Sequence, residues 1–271
     1  SALFEKSFHF GLDLAASYTF GHSKSVYDGT SSVAYSNWKY NYAVDSNNPG
    51  LAYSMFDIPH RVMVSVGYRT PRYAKGFMAT TVSLVYNGYV GQRYSLTMNE
   101  SYYDAEKKKT VYIDYNGDGW GGNSLLYIPT EDELQKMDFK TEEDRRKFDE
   151  WIEGDSYAKK HRGAYAMRNS NSAPWENRVD LHVAQDIFVL KDRGSKFQVT
   201  FDVTNFANML NKKWGTTYTA AYNVMPLQVI GSKKGEDGNY TNTYAYNSRN
   251  TITKNDVLSR WHAQIGFKYI F

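Results

Sequence analysis

Apolar and polar residues alternate along several segments of the chain. In residues 7–21, one parity carries mostly large apolar side chains and the other carries small or polar ones. Successive side chains of a β-strand point to opposite faces, so this pattern predicts a strand with one apolar and one polar face. The segment is longer than the roughly five or six residues of an ordinary strand. Its length favours a strand that spans a membrane.

The same alternation returns in five further segments, so we expect about six strands. These segments are 61–68, 78–87, 179–189, 197–204 and 261–271. Residues 70–76 and 191–195 contain turn residues and predict tight connections. The segments 22–58, 96–175 and 211–259 are long and polar instead. Short turns at one end and long loops at the other are typical of an outer-membrane barrel, which we therefore expect to have an all-β, antiparallel fold.

Aromatic residues lie near both ends of the predicted apolar faces. Those near the turns are Phe8, Tyr68, Phe197, Phe267, Tyr269 and Phe271, and those near the loops are Tyr18, Phe20, Trp175 and Trp261. Two such girdles are typical of a barrel that meets two membrane interfaces. The alternative is that these rings belong to the core of a soluble sandwich.

Composition narrows the classes of protein further. The 271 residues include 16% aromatic residues, no cysteine and a scattered net charge of +3. This excludes a disordered chain, a disulfide scaffold and a cysteine-ligated metal site, and it argues against a nucleic-acid partner. Mean hydropathy is −0.63, and no run reaches the roughly 20 apolar residues of a membrane helix. A spanning strand needs only about 9–11 residues, of which every second one is apolar.

Six strands cannot close a barrel, because the smallest barrels use about eight strands and open edges are not viable in lipid. We therefore expect residues 1–271 to be the C-terminal section of a larger barrel. The remaining strands would lie elsewhere in the same protein or on another chain.

Several motifs resemble one family in their order and spacing. They lie at residues 57–61, 114–119, 126–129, 168–169, 174–181, 205–215 and 269–271. Together they resemble the last six strands of a TonB-dependent outer-membrane transporter, most closely of the Oar-like branch and more distantly of the SusC-like branch. The resemblance covers essentially the whole chain.

That resemblance implies a 22-stranded barrel with a plug domain, set in the outer membrane of a Gram-negative bacterium. The C-terminus would be periplasmic and the long loops extracellular. The implied partners are outer-membrane lipid, the rest of the barrel and plug, a TonB complex acting through an N-terminal region that this sequence lacks, and a surface lipoprotein. Tyr269 and Phe271 would form the signal that the assembly machinery reads, although Phe271 could equally be a girdle residue.

One loop has a spacing that suits calcium. Asp114, Asn116 and Asp118 alternate ahead of a glycine, and the carbonyl of Trp120 would be the next ligand. Leu125 stands where the full pattern requires a glutamate. The alternative is a turn-rich loop in which Asp and Asn bond their own backbone. A structural calcium ion is the only cofactor that the sequence suggests, and the predicted fold does not require it.

The same long loop should contain short helices. Thr130 and Glu133 form a capping box, and Thr141 precedes three acidic residues that suit a first helical turn. Phe148, Trp151 and Ile152 then make an apolar stripe. We expect this loop to fold into a cap.

No nucleophile, phosphate-loop or histidine metal motif is visible, so we do not expect an enzyme. Charged side chains at the polar positions of the strands, such as Asp186 and His182, are expected either to face water as part of the barrel wall or to contact the plug. The favoured function is TonB-dependent transport of a bulky nutrient, either a peptide, a glycan or a chelate. The alternatives are a non-transporting structural or adhesive barrel and, less favoured, a soluble glycan-binding sandwich.

Overall fold

A computed structural model describes residues 1–189, 195–219, 223–236, 238–248 and 252–271. One antiparallel sheet of seven strands runs through the whole chain. Its strands are β1 (Ala2–Ser7), β2 (Leu12–Phe20), β3 (His60–Arg69), β4 (Met78–Tyr89), β5 (Glu176–Phe188), β6 (Lys196–Thr204) and β7 (His262–Ile270). Each strand pairs with the next one in chain order, which confirms the antiparallel β architecture.

The segment 7–21 forms a turn and a strand instead of one long strand. The Phe8 N–H donates to the carbonyl of Leu12 (2.8 Å), and Gly11 has φ +94°. That left-handed conformation suits glycine and lets the chain reverse here. The sheet therefore has seven strands, because β1 precedes this turn, and Phe8 and Phe10 lie in the turn.

The two ends of the sheet differ, as the spacing of the strands predicted. The turns 8–11 and 70–77 lie at one end, together with the start of β6 and the end of β7, where Lys196 pairs with Ile270. The predicted turn residues 191–194 fall outside the described residues. The long segments 21–59, 90–175 and 205–261 all leave the opposite end.

The sheet is open. Strands β1 and β7 are its outermost strands and do not pair with each other in the described structure. Each therefore has one edge whose backbone N–H and C=O groups lack a strand partner.

The three long segments form a cap over one end of the sheet. Short helices occur in all three, instead of in one loop only: α1 (Ala34–Lys39), α2 (Glu131–Lys136), α3 (Glu142–Gly154), a 3₁₀ turn (Ala158–Lys160) and α4 (Phe206–Leu210). Helices α1 and α4 have no side-chain cap: α1 follows Val33, and Asn205 before α4 has a left-handed backbone and makes no capping hydrogen bond. Among the described residues, no helix is both long and apolar enough to cross a bilayer.

Small sheets join the parts of this cap. The paired short strands are Lys24–Ser25 with Ala52–Tyr53, Arg93–Leu96 with Asn171–Ser172 and Asn223–Val224, Ser101–Asp104 with Lys109–Tyr112, Tyr127–Ile128 with Ala164–Tyr165, Asp138–Phe139 with Tyr240–Tyr246, Leu227–Lys234 with Tyr240–Tyr246, and Tyr218–Thr219 with Thr253–Lys254. Several of these pairs join segments that are distant in sequence, so β-pairing links the loops to one another.

The main apolar core lies in the cap. Leu134 of α2 and both Phe148 and Ile152 of α3 are at most 1% exposed, and Trp151 stacks on Phe148. The capping box of Thr130 and α2 is formed as predicted. The apolar stripe of α3 packs within the cap, against residues of both the second and the third long segments, which confirms the prediction of a folded cap.

Gly11 offers a test of the first turn. A Cβ atom there would collide with the carbonyl oxygen of Arg69, in addition to the strain of a positive φ. We expect Gly11→Ala to lower the free energy of unfolding by about 1–3 kcal/mol, measured by urea titration of the complete barrel protein that contains this chain, folded into lipid vesicles. Gly21→Ala is the matched control, since a Cβ there meets open space. Equal stability of the two variants would contradict this account of the turn.

Candidate functional site

The candidate functional surface is the apolar face of the sheet. Paired residues share a face, so the register carries the apolar parity from strand to strand. A central row runs across β2 to β7 through Leu14, Val66, Leu84, Leu181, Val203 and Ala263. The next row contains Leu12, Tyr68, Val82, Val183, Phe201 and Ile265.

Most of this face is exposed within the described residues, although Val203 in the central row is only 1% exposed. Three side chains on the apolar face show this exposure: Leu84 is 40% exposed, Ile265 62% and Phe267 81%. A water-soluble protein rarely exposes an apolar patch of this extent. No second layer packs on the face there, so the sandwich alternative has no support in the fold.

Aromatic rings lie at both ends of the apolar face. The loop end carries Tyr18, Phe20, Tyr86, Trp175 and Trp261, and the turn end carries Phe197, Phe267, Tyr269 and Phe271. The central row between them contains only aliphatic residues. Tyr68 lies further into the face than predicted, because it shares a row with Phe201. The indole N–H of Trp175 donates to Asn177 Oδ1 (3.1 Å), so its polar edge is satisfied while its ring remains partly exposed.

The opposite face is polar and contains one buried charge cluster. Asp186 accepts hydrogen bonds from Arg69 (2.7 Å), Lys196 (2.8 Å) and Gln198 (2.8 Å). Its side chain is only 2% exposed, so Asp186 is not the solvated wall residue that the sequence predicted. These contacts join β3, β5 and β6 near the turn end. His182 and Asp202 also bond to each other but remain about half exposed.

A buried ion pair joins the first long loop to the second. Asp57 accepts from the Ser23 N–H (2.6 Å) and from both Nε (3.0 Å) and Nη2 (2.7 Å) of Arg93. Burial alone would raise the pKa of the Asp57 carboxyl group, but these hydrogen bonds and the Arg93 charge hold it below its usual value. Asp57 lies in the motif at 57–61, so that motif fixes how the first loop meets the second.

The motif at 168–169 makes a second joint, meaning a set of buried hydrogen bonds that connects two loops. Arg168 donates to the carbonyl of Val26 (2.7 Å), and Asn169 donates to the carbonyl of Tyr53 (2.7 Å). Burial lowers the pKa of the Arg168 guanidinium, and the charge of Asp28 partly offsets that effect. A cavity of about 380 Å³ lies beside these groups. Its walls include Asp28, Tyr40, Tyr42, Arg93, Arg168 and Asn169.

The motif at 205–215 organises the third loop. Asn205 is fully buried with φ +56°, and its side chain donates to the carbonyls of Gly215 (2.8 Å) and Ser259 (2.8 Å). A Cβ at Gly215 would collide with the Asn205 side chain. Sequence reasoning identified this motif as part of a resemblance but did not reveal these contacts, which form between residues far apart in sequence.

In the candidate calcium loop, protein donors already occupy the carboxylate groups. Asp114 accepts the backbone N–H groups of Asp118 (3.2 Å) and Gly119 (2.8 Å). Asp118 accepts from the Trp120 N–H (2.7 Å) and from Asn123 (2.8 Å). Asn116 donates its side-chain N–H to Asp118 Oδ2 (3.2 Å), and its Oδ1 accepts from the Asp118 backbone N–H (3.4 Å). This geometry favours the turn interpretation, and calcium binding stays a prediction.

Two further observations bear on that loop. Within the described part of the chain, no three His, Cys, Asp or Glu side chains are grouped so that they could hold a metal ion. Glu100 is buried beside the loop, and burial together with the charge of Asp118 raises its pKa to about 7. Sequence reasoning missed Glu100.

Tyr269 and Phe271 lie at the end of the outermost strand, β7. Tyr269 pairs with Phe197 and belongs to the apolar face, whereas Phe271 is 96% exposed beyond the last pair. Both rings are therefore placed beside an unpaired sheet edge. That placement is compatible with an assembly signal and with a girdle.

Comparison with protein families gives one match. The model described as "Outer membrane beta barrel domain" matches residues 1–260 of the chain. Comparisons with curated proteins and with solved structures give no match.

The two faces can be distinguished with a pair of adjacent substitutions. Leu84→Arg places a charge in the middle of the apolar face, whereas Ser83→Arg places it on the polar face near Asp180 and Asp202. In a bilayer we expect Leu84→Arg to cost about 2–4 kcal/mol of folding free energy, because the charge is transferred into hydrocarbon. Ser83→Arg should cost less than about 1 kcal/mol. Urea titration in lipid vesicles measures both, and a reversed order would assign the faces the other way round.

Proposed function

This chain belongs to the family of outer-membrane β-barrel domains, and we propose that it forms the C-terminal section of a TonB-dependent transporter. In this proposal residues 1–271 supply barrel wall and outer loops. The rest of the barrel, a plug domain and the TonB-contacting region complete the transporter. The cargo is a bulky nutrient such as a peptide, a glycan or a chelate.

The open sheet is the observation that carries this proposal. Strands β1 and β7 each have a free edge, while the face beside them is apolar and mostly exposed. In lipid such edges must be paired, because no water is present to bond their backbone groups. Seven strands with two free edges therefore fit a segment of a larger barrel. The resemblance of the ordered motifs to TonB-dependent transporters is what favours that type of barrel.

The cap supports a role in recognising cargo at the cell surface. Its core is well packed, and the cavity beside Arg93 and Arg168 combines tyrosine rings with charged and amide groups. Rigid rings and fixed polar groups are the usual elements of a specific binding site. In the proposal the cap lies outside the cell, the turns and C-terminus are periplasmic, and a surface lipoprotein can dock on the cap.

Growth genetics tests the transport proposal. In the bacterium that carries this protein, deletion of its gene and deletion of TonB should each abolish growth on the same single class among peptides, glycans and metal chelates. The double deletion should add nothing, because both gene products act in one energy-coupled step. Restoring the full-length gene should rescue growth only when TonB is present. Normal growth of the gene deletion on every class, combined with loss of surface attachment, would instead support the adhesive alternative.

The absence of cysteine from this chain allows a clean test of orientation. Tyr103→Cys lies in an exposed hairpin of the cap, and His9→Cys lies in the exposed first turn at the other end. We expect a membrane-impermeant maleimide to label Tyr103→Cys on intact cells and His9→Cys only after the outer membrane is permeabilised. The opposite labelling pattern would reverse the proposed orientation.

A further inference from the structure

A second cavity, of about 300 Å³, lies within the cap. Its walls come from the second long segment and, through Leu227 and Tyr244, from the third. Four tyrosines contribute to its lining, together with one carboxylate: Tyr115, Tyr127, Tyr165, Tyr244 and Glu133. This cavity is separate from the one beside Arg93, because the two share no lining residue.

The tyrosine rings give the cavity a negative electrostatic character. The rings of Tyr127 and Tyr165 meet edge to face with centroids 5.1 Å apart. The face of an aromatic ring carries partial negative charge, so several rings around one space attract a cation. Methionine and leucine side chains complete the wall, which keeps the cavity largely apolar.

Glu133 adds a full negative charge that is already held in place. Its carboxylate accepts from the hydroxyl of Tyr127 (2.9 Å) and from the N–H (2.8 Å) and hydroxyl (3.0 Å) of Thr130. The hydrogen bonds to Thr130 and Tyr127 lower the pKa of Glu133, so the group is ionised at neutral pH. No salt bridge to Glu133 occurs within the described residues, and Lys136 is the cationic group whose charge acts on its carboxylate.

The hydroxyl of Tyr115 is buried beside Tyr244 and Asn242, so this tyrosine offers its ring and not its hydroxyl to the cavity. The lining thus provides rings for a cation and a carboxylate for its charge.

We propose that this cavity binds the cationic end of an organic molecule, namely an alkylammonium or alkylguanidinium group. Such groups end the side chains of lysine and arginine and also occur on free amines. A volume of about 300 Å³ accommodates one end group with a short alkyl stem, and not a whole bulky cargo. The cavity acts as a recognition subsite on the outer cap, and its binding does not depend on whether the protein translocates cargo.

Direct titration tests this proposal. The protein, folded in a non-ionic detergent, is titrated with n-butylammonium, n-butylguanidinium and neutral n-butanol, with binding followed by calorimetry. We expect saturable binding of at least one cation at millimolar concentration and no saturable binding of n-butanol. The cation that binds more tightly identifies the preferred head group. Absence of saturation by both cations, or equal binding of n-butanol, would overturn the proposal.

Glu133→Gln tests the role of the carboxylate. Glutamine also suits the third position of a capping box, so α2 should remain folded. We expect cation affinity to fall about tenfold, which corresponds to about 1.4 kcal/mol, because glutamine keeps an acceptor oxygen but loses the negative charge. Glu131→Gln removes the same charge from an exposed position of α2 and should leave affinity unchanged. Equal affinity of both variants would exclude a role for Glu133.

A second variant tests the rings without involving the helix. Tyr165 is 49% exposed, so Tyr165→Leu should not disturb the core of the cap. We expect about a threefold loss of cation affinity, because one cation–π contact is worth roughly 0.5–1 kcal/mol at an exposed site. Tyr103→Leu, in a hairpin away from the cavity, is the control. Near-ultraviolet circular dichroism verifies that each variant keeps the fold of the cap. Unchanged cation affinity in Tyr165→Leu would contradict a role of the tyrosine rings in binding.

Discussion

The structure depends on the alternation of side chains along paired strands. Because pairing keeps partners on one face, Leu14, Leu84 and Val203 extend a single apolar surface across six strands. A slip of one residue in any strand would move its apolar set to the polar face. Hydrocarbon can cover that surface without competing for backbone hydrogen bonds, which the strands satisfy among themselves. The register therefore determines both the fold of the sheet and the environment that suits it.

This constraint explains why the chain has its main apolar core outside the sheet. The apolar side chains of the strands are committed to a surface, so they cannot form an interior. The long segments must then bury their own apolar residues, and they do so around Phe148, Ile152 and Leu126. Packing of segments that are distant in sequence makes the cap a small globular unit fixed to the end of the sheet. Ordered cavities can form in such a unit, whereas isolated loops would not hold them.

Local patterns predicted a large part of this fold. The alternation predicted most strands, and the capping box at Thr130 predicted α2, because both signals lie within a few residues. The turn at Gly11 was missed because alternation continues through residues 7–21, and only the backbone conformation of one glycine interrupts it. The contacts of Asp57 with Arg93 could not be predicted, since they join residues from different loops. Composition likewise cannot reveal that Glu133 lines the same cavity as four tyrosines.

The motif residues that carry the family resemblance mainly build joints between loops. Asp57, Arg168 and Asn205 are each buried, and each bonds to a segment far away in the chain. Removing one partner of such a joint leaves a polar group without compensation, so these positions tolerate little change. The cavities in the cap are lined partly by motif residues, such as Tyr115 and Tyr127, and partly by residues outside the motifs, such as Tyr165 and Tyr244. A shared arrangement of joints can thus support different linings, which explains how a motif-level resemblance describes the architecture of the cap without specifying its cargo.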